Sequence, residues 1–230
     1  MFQVKICGIT TAEGALAAFH AGADAIGLNF YPQSRRFLDP RRAATVTDAL
    51  PNDVAKVGVF VNAPPSEVRQ IARDLRLDFV QLHGDEPPET IAELADLAVI
   101  RAFRLADDGW KPCREYLNRC ERLNAKPQAI LIDAFHDGQY GGTGHSPDWS
   151  IVRRYREFDI DVPLVLAGGL RPENVAEAIH TAQPDAVDTA SGVESAPGTK
   201  DSGKVTAFVA AALRAFDTRL PMTNDERMTK

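Results

Sequence analysis

The sequence predicts a single (β/α)8 TIM barrel. Three observations predict it. Short, nearly continuous apolar runs alternate with longer amphipathic stretches, as strands buried on both faces alternate with crossover helices. Eight such runs fall within about 215 residues, roughly 27 per strand–helix unit, which is near the size of a closed barrel. The cysteine, glycine and polar oddities cluster at the ends of these runs, the rim where barrels carry their chemistry. An open doubly wound sheet is the competing arrangement.

The runs are residues 2–6 (FQVKI), 25–29 (AIGLN), 55–61 (AKVGVFV), 79–82 (FVQL), 98–103 (AVIRAF), 129–133 (AILID), 163–167 (PLVLA) and 186–190 (AVDTA). Helix signals lie between them. Thr10 with Glu13 reads as a capping box, and Gly22 closes the first helix. Asp39 before Pro40 and Ser146 before Pro147 each pair a cap with a first-turn proline. Pro65, Pro87 with Pro88, and Arg171 with Pro172 mark further starts, and the last helix covers about 202–216. With no linker and no sequence repeat, residues 1–216 read as one barrel domain and 217–230 as a polar, frayed tail.

Composition narrows the function. A net charge of −6 and a pI near 5.4 give the chain no reason to seek nucleic acid or an anionic membrane. An anionic ligand then needs a local pocket of donors. The three cysteines, Cys7, Cys113 and Cys120, are too few and too odd in number for a disulfide framework. Cys113 and Cys120, seven residues apart on one predicted helix, would be roughly 10 Å apart, beyond bridging reach. No apolar run approaches the roughly 18 residues of a membrane span, and no signal pattern precedes the first strand. The reading is cytoplasmic.

At the rim, the first strand ends in Cys7 and Gly8, and the sixth in Asp133. Gly168 and Gly169 follow the seventh, and Ser191 and Gly192 follow the eighth. Backbone amides approach an anion closely only where no Cβ intervenes. Two such turns on adjacent strands, with the Gly141, Gly142, Thr143, Gly144 run after the strand before, point to a phosphate. That run lacks the spacing of a dinucleotide loop. Other residues are ambiguous singly. Asp133 is either a loop cap or an acid, Arg36 a solvated charge or an anion contact, and Cys7 a small core residue or a reactive thiol. His83 reads as a rim hydrogen-bonder. His136, Asp137 and His145 share one loop without a metal-ligand pattern.

Taken together, "KICGIT", "FYPQSRRF", "VGVFVN", "VQLHGDE", "LIDAF…YGGTG…DW", "LAGGLRPENV" and "AVDTASGVES" followed by PG and KD resemble phosphoribosylanthranilate isomerase of tryptophan biosynthesis. The matches run in order from Lys5 to Asp201; residues 107–126 carry none. The resemblance implies an Amadori rearrangement of N-(5′-phosphoribosyl)anthranilate to 1-(2-carboxyphenylamino)-1-deoxyribulose 5-phosphate, with no cofactor and no metal. It implies Asp133 as the general acid and Cys7 as the general base. Arg36 would contact the anthranilate carboxylate. Gly142, Gly168, Gly169, Ser191 and Gly192 would surround the phosphosugar, and Asp188 would accept from a ribose hydroxyl. The acid role favours a raised pKa at Asp133 and the base role a lowered one at Cys7. Gly8, without a side chain, would keep the mouth open to the sugar. The partner is a small phosphosugar, not nucleic acid or membrane; no oligomeric partner is legible. Indole-glycerol-phosphate synthase is disfavoured because no lysine stands at a matching strand end. The histidine-pathway sugar isomerase is disfavoured because a cysteine stands where it has an aspartate. A non-catalytic phosphosugar-binding barrel would not need Cys7 and Asp133 together.

Overall fold

A computed structural model describes residues 1–105, 109–133, 149–158 and 161–219. Eight parallel strands close on themselves in sequence order: β1 (Val4–Cys7), β2 (Ala25–Asn29), β3 (Ala55–Phe60), β4 (Phe79–Leu82), β5 (Val99–Arg104), β6 (Ala129–Asp133), β7 (Leu164–Ala167) and β8 (Ala186–Thr189). The (β/α)8 expectation holds, and the open-sheet alternative is excluded because β1 pairs with both β2 and β8. A small antiparallel hairpin, β9 (Glu194–Ala196) with β10 (Thr199–Lys200), follows the barrel and was not foreseen. Its strands are too short to show periodicity.

Two apolar layers follow from the alternation of side chains along each strand. One parity points outward: Ile6, Ile26, Ile130, Leu164 and Val187 join the helix-facing core with Ala15, Ile179 and Phe208. The other parity fills the barrel: Ala25, Val57, Ile100, Leu131, Val165 and Ala186 form a separate interior cluster. That inward parity carries the polar residues of the rim.

The helices are α1 (Ala12–His20), α2 (Pro40–Asp48), α3 (Pro65–Asp74), α4 (Pro88–Glu93), α5 (Lys111–Arg122), α6 (Trp149–Arg153), α7 (Val175–Ala182) and α8 (Ser202–Asp217). Asp39 caps α2 through Arg41 N, with Pro40 in the first turn, as expected. Two starts differ. The α1 cap is Thr11, whose hydroxyl accepts from Gly14 N; Thr10 instead donates to Gly198 O of the hairpin at 2.6 Å. Arg171 and Pro172 open a turn, and α7 begins only at Val175, because Asn174 turns its side chain back onto Arg171 N and Gly169 O. Cys113 and Cys120 are free and buried on α5. Ser146 and Pro147 lie outside the described residues, as does the tail from 220 onward. Among the described residues no helix is long and apolar enough to cross a membrane.

Candidate active site

A cavity of ≈ 340 Å³ opens at the C-terminal ends of the strands. Strand parity explains who lines it. On β6, Ala129 and Leu131 face inward, and the next inward position is Asp133. On β1 the inward positions are Lys5 and Cys7, on β2 Gly27 and Asn29, and on β8 Ala186 and Asp188. Cys7 and Asp133 thus share one mouth, with β7 and β8 between their strands.

The glycine turns meet them there. Gly168 and Gly169 take φ of 89° and 64°, a region open to glycine and costly for other residues. Asn174, buried and overlooked in the sequence, accepts from Arg171 N at 2.8 Å and donates to Gly169 O at 3.1 Å, which fixes that turn. Thr189 donates to Leu170 O at 2.7 Å. A Cβ on Gly192 would collide with that same carbonyl oxygen, so the turn after β8 packs on the turn after β7 only with glycine there. Gly168, Gly169 and Ser191 line the cavity; Gly142 lies outside the described residues, with His136, Asp137 and His145.

Arg36 lines the mouth, but it does not wait there as a solvated charge. Its Nε and Nη2 donate to the two carboxylate oxygens of Glu194, each at 2.7 Å. Lys200 Nζ donates to Glu194 Oε1 and to Ala190 O, both at 2.9 Å. Burial alone would raise the Glu194 carboxyl; hydrogen bonds from Arg36 and Lys200 outweigh it and hold the group below the ordinary glutamate range. The Arg36 guanidinium is pushed up by its bonds to Glu194. Glu194 takes the Nε/Nη2 edge of the guanidinium, and the Nη1/Nη2 end is a second edge of the fork. The hairpin is therefore the support of Arg36, which no residue-by-residue reading of the sequence indicated.

Gly8 has a further reason beside the one expected. It takes φ of 72°, and a Cβ there would strike the Arg36 side-chain stem. The missing side chain makes room for Arg36 to cross.

The chemistry of Cys7 also corrects an expectation. Burial pushes the thiol up; Lys5 and Lys200 pull it down without overcoming burial, and Asp188 adds to the rise. The free site therefore holds Cys7 as a thiol. His83 is pushed down to about 4, by burial first and then by Lys5, Arg104 and Arg101, so it is neutral at physiological pH. Its Nδ1 lies 2.7 Å from Gln81 Nε2. Asp188 lines the cavity and is ion-paired with the fully buried Lys5 at 3.0 Å. Among the described residues no group of three His, Cys, Asp or Glu side chains is placed to hold a metal ion.

Comparison with known proteins meets this geometry. The profile of the family described as N-(5'phosphoribosyl)anthranilate (PRA) isomerase matches residues 4–211. The chain belongs to that family. It is 46% identical over 213 residues to the N-(5'-phosphoribosyl)anthranilate isomerase of Geobacter sulfurreducens, covering 92% of this chain and 98% of that one. The phosphoribosyl anthranilate isomerase structure from Thermotoga maritima superposes with a TM-score of 0.81 at 41% identity, covering 93% of this chain and 100% of that one. A phosphoribosyl anthranilate isomerase solved in complex with reduced 1-(o-carboxyphenylamino)-1-deoxyribulose 5-phosphate superposes with a TM-score of 0.79 at 39% identity, covering 93% and 100%. The PRA isomerase profile reaches from β1 into α8, so it includes every described site residue and the hairpin that supports Arg36.

Proposed function

We propose that this chain catalyses the Amadori rearrangement of N-(5′-phosphoribosyl)anthranilate in tryptophan biosynthesis, with Asp133 as acid and Cys7 as base. One observation carries the assignment of roles: inward parity delivers a carboxyl and a thiol from separated strands into one cavity that also holds an anion-binding arginine and two glycine turns.

The steps balance on these groups. Asp133 gives a proton to the furanose ring oxygen as the C1–O bond breaks, and the anilino nitrogen supplies the electron pair that forms the iminium. The C2–H pair then moves to the C1–C2 bond, neutralising the iminium, while the C2 proton goes to the Cys7 sulfur. The enolamine tautomerises to the ketone, and exchange with solvent resets both groups. Because the free site favours the thiol, Cys7 first gives its own proton to solvent, a loss that the positive iminium beside the sulfur favours, and the resulting thiolate then takes the C2 proton. Acid and base stand apart and do not quench each other. The Arg36 end edge takes the anthranilate carboxylate. Amides around Gly168, Gly169, Ser191 and Gly192 take the 5′-phosphate. Asp188, already paired with Lys5, accepts from a ribose hydroxyl with its remaining lone pairs. The enzyme needs no redox partner for this internal isomerisation, and its sparse free thiols suit the cytoplasm.

The test is anthranilate fluorescence with the purified chain. Substrate fluorescence should fall with time in proportion to enzyme. A folded chain that binds the phosphosugar without any fall would leave only the non-catalytic barrel.

A further inference from the structure

The inward face of β1 carries a lysine two residues below the thiol, and the sequence gives it no evident task. Lys5 is wholly buried, at 0% exposure, beside an interior cluster of Ala, Val, Leu, Ile and Phe side chains. An ammonium there is costly, and an apolar side chain would pack without that cost. Among the described residues its counter-ion is Asp188, the residue directly opposite in the β1–β8 register, at 3.0 Å. Yet among the described residues neither Lys5 Nζ nor Asp188 Oδ1 completes a well-aligned hydrogen bond. The pair is close but leaves donor capacity unspent.

The third member is the sulfur. Cys7 is directly opposite Gly27 in the β1–β2 register. A Cβ on Gly27 would sit 2.6 Å from Cys7 Sγ and 3.1 Å from Lys5 Nζ. Sulfur and ammonium thus share the one space that this glycine leaves open. The Gly27 position is not a turn and needs no positive φ; its lack of a side chain serves only this approach.

We propose that Lys5 is a positioning residue for Cys7: its ammonium, fixed between Asp188 and the sulfur over Gly27, stabilises the thiolate that takes the C2 proton. The proposal rests on the base role assigned to Cys7 above. The other charged groups around the sulfur do not replace Lys5. Lys200 on β10 is committed to Glu194 and Ala190 O, and Arg36, beyond β2, to Glu194. Asp188 on β8 opposes the thiolate, and neutral His83, after β4, adds no charge. Charge coupling agrees in both directions: burial would lower Lys5, but Asp188 and then Cys7 raise it, while Lys5 lowers Cys7 against burial.

The experiment measures the rate of Cys7 alkylation by iodoacetamide against pH, read on the Cys7 peptide by mass spectrometry. Burial pushes Cys113 up to about 12 and Cys120 to about 11, and reading the Cys7 peptide by itself keeps both thiols out of the measurement. In Lys5→Met the Cys7 midpoint should move up by about 1–3 pH units, the usual effect of one nearby charge. The basic limb of kcat/KM should move with it, while circular dichroism stays native. If the lone Asp188 charge unfolds that variant, Lys5→Met with Asp188→Asn keeps the interior neutral. Its midpoint should still rise, though less, because Lys5 acts on the sulfur more strongly than Asp188 does. A folded variant of either kind with the wild-type Cys7 profile overturns the proposal. Normal turnover by Cys7→Ser would instead overturn the base role, while the alkylation shift would still report the Lys5–Cys7 coupling.

Discussion

Glu194→Gln is the sharpest perturbation of Arg36, because it leaves the guanidinium in place and removes only what holds it. The substitution keeps the volume and one acceptor but deletes the charge facing two cations. Glu194 and Lys200 are nearly sealed from solvent, with side-chain exposures of 5% and 2%, and Arg36 is 26% exposed. Removing one partner of a buried pair costs about 3–5 kcal/mol, and partial exposure of Arg36 places this case at the lower end, about 3 kcal/mol. For a barrel of this size, that lowers Tm by about 6–12 °C. The guanidinium then loses its fixed orientation, and KM for phosphoribosylanthranilate should rise about tenfold, the worth of one weakened charge-assisted bond. The kcat should change little, since neither acid nor base is touched. The pH dependence adds a sign. A carboxyl held low by its partners contributes stability that is full above the ordinary glutamate range and is lost as pH falls through the lower folded value. The wild type should therefore lose stability on the acid side more steeply than Glu194→Gln. Thermal melts from neutral to acid pH and steady-state kinetics measure all three effects. An unchanged KM with an unchanged Tm would refute the idea that the hairpin supports Arg36.

Asp133→Asn should bind substrate yet lose about 10²-fold or more in kcat, checked by fluorescence turnover; near-normal kcat would return Asp133 to a loop role. Gly192→Ala should weaken inhibition by inorganic phosphate and raise KM, because the new Cβ forces the turn after β8 off the Leu170 carbonyl; an unchanged inhibition constant would remove that turn from the phosphate site. His83, buried to a value of about 4, should show no imidazole titration between pH 5 and 8 by NMR. A group whose folded value lies below its unfolded one lends stability above the unfolded value near 6.5 that is lost as pH falls toward 4. His83→Asn should flatten that part of the stability curve, and a His83 titration near 6.5 would contradict the buried, neutral ring.

How much of this was legible beforehand follows from where the signal sits. The barrel was readable because strands buried on both faces leave uninterrupted apolar runs, and most run boundaries agree with the strands within two residues. Cys7 and Asp133 were readable because each ends such a run, and the family motifs then gave each a role. Lys5 was quoted in a motif and passed over, since a lysine at a strand start usually extends its head to solvent. Only the β1–β8 register shows that it points into the barrel. Glu194 escaped because its partner, Arg36, is 158 residues away in sequence, and Lys200 escaped with it because its task is to bond Glu194. Thr10 and Thr11 are equally good caps by sequence, and only the fold divides them: the hairpin claims the first and α1 the second. The contact that needs Gly8 was not legible because the residue crossing it, Arg36, comes from another loop.

The Lys5–Asp188 pair also marks the seam of the cylinder, where the barrel's first strand meets its eighth. A sliding error of one residue at that seam would turn the Asp188 side chain toward the helices and strand an ammonium among aliphatic groups. Misaligned closure is thus disfavoured by charge as well as by shape, and the same pair that sits beside the thiol proofreads the ring. A chain ending before β8 would leave that ammonium without its counter-ion, so exchange protection of the β1 amides should appear only once residues 186–189 are present.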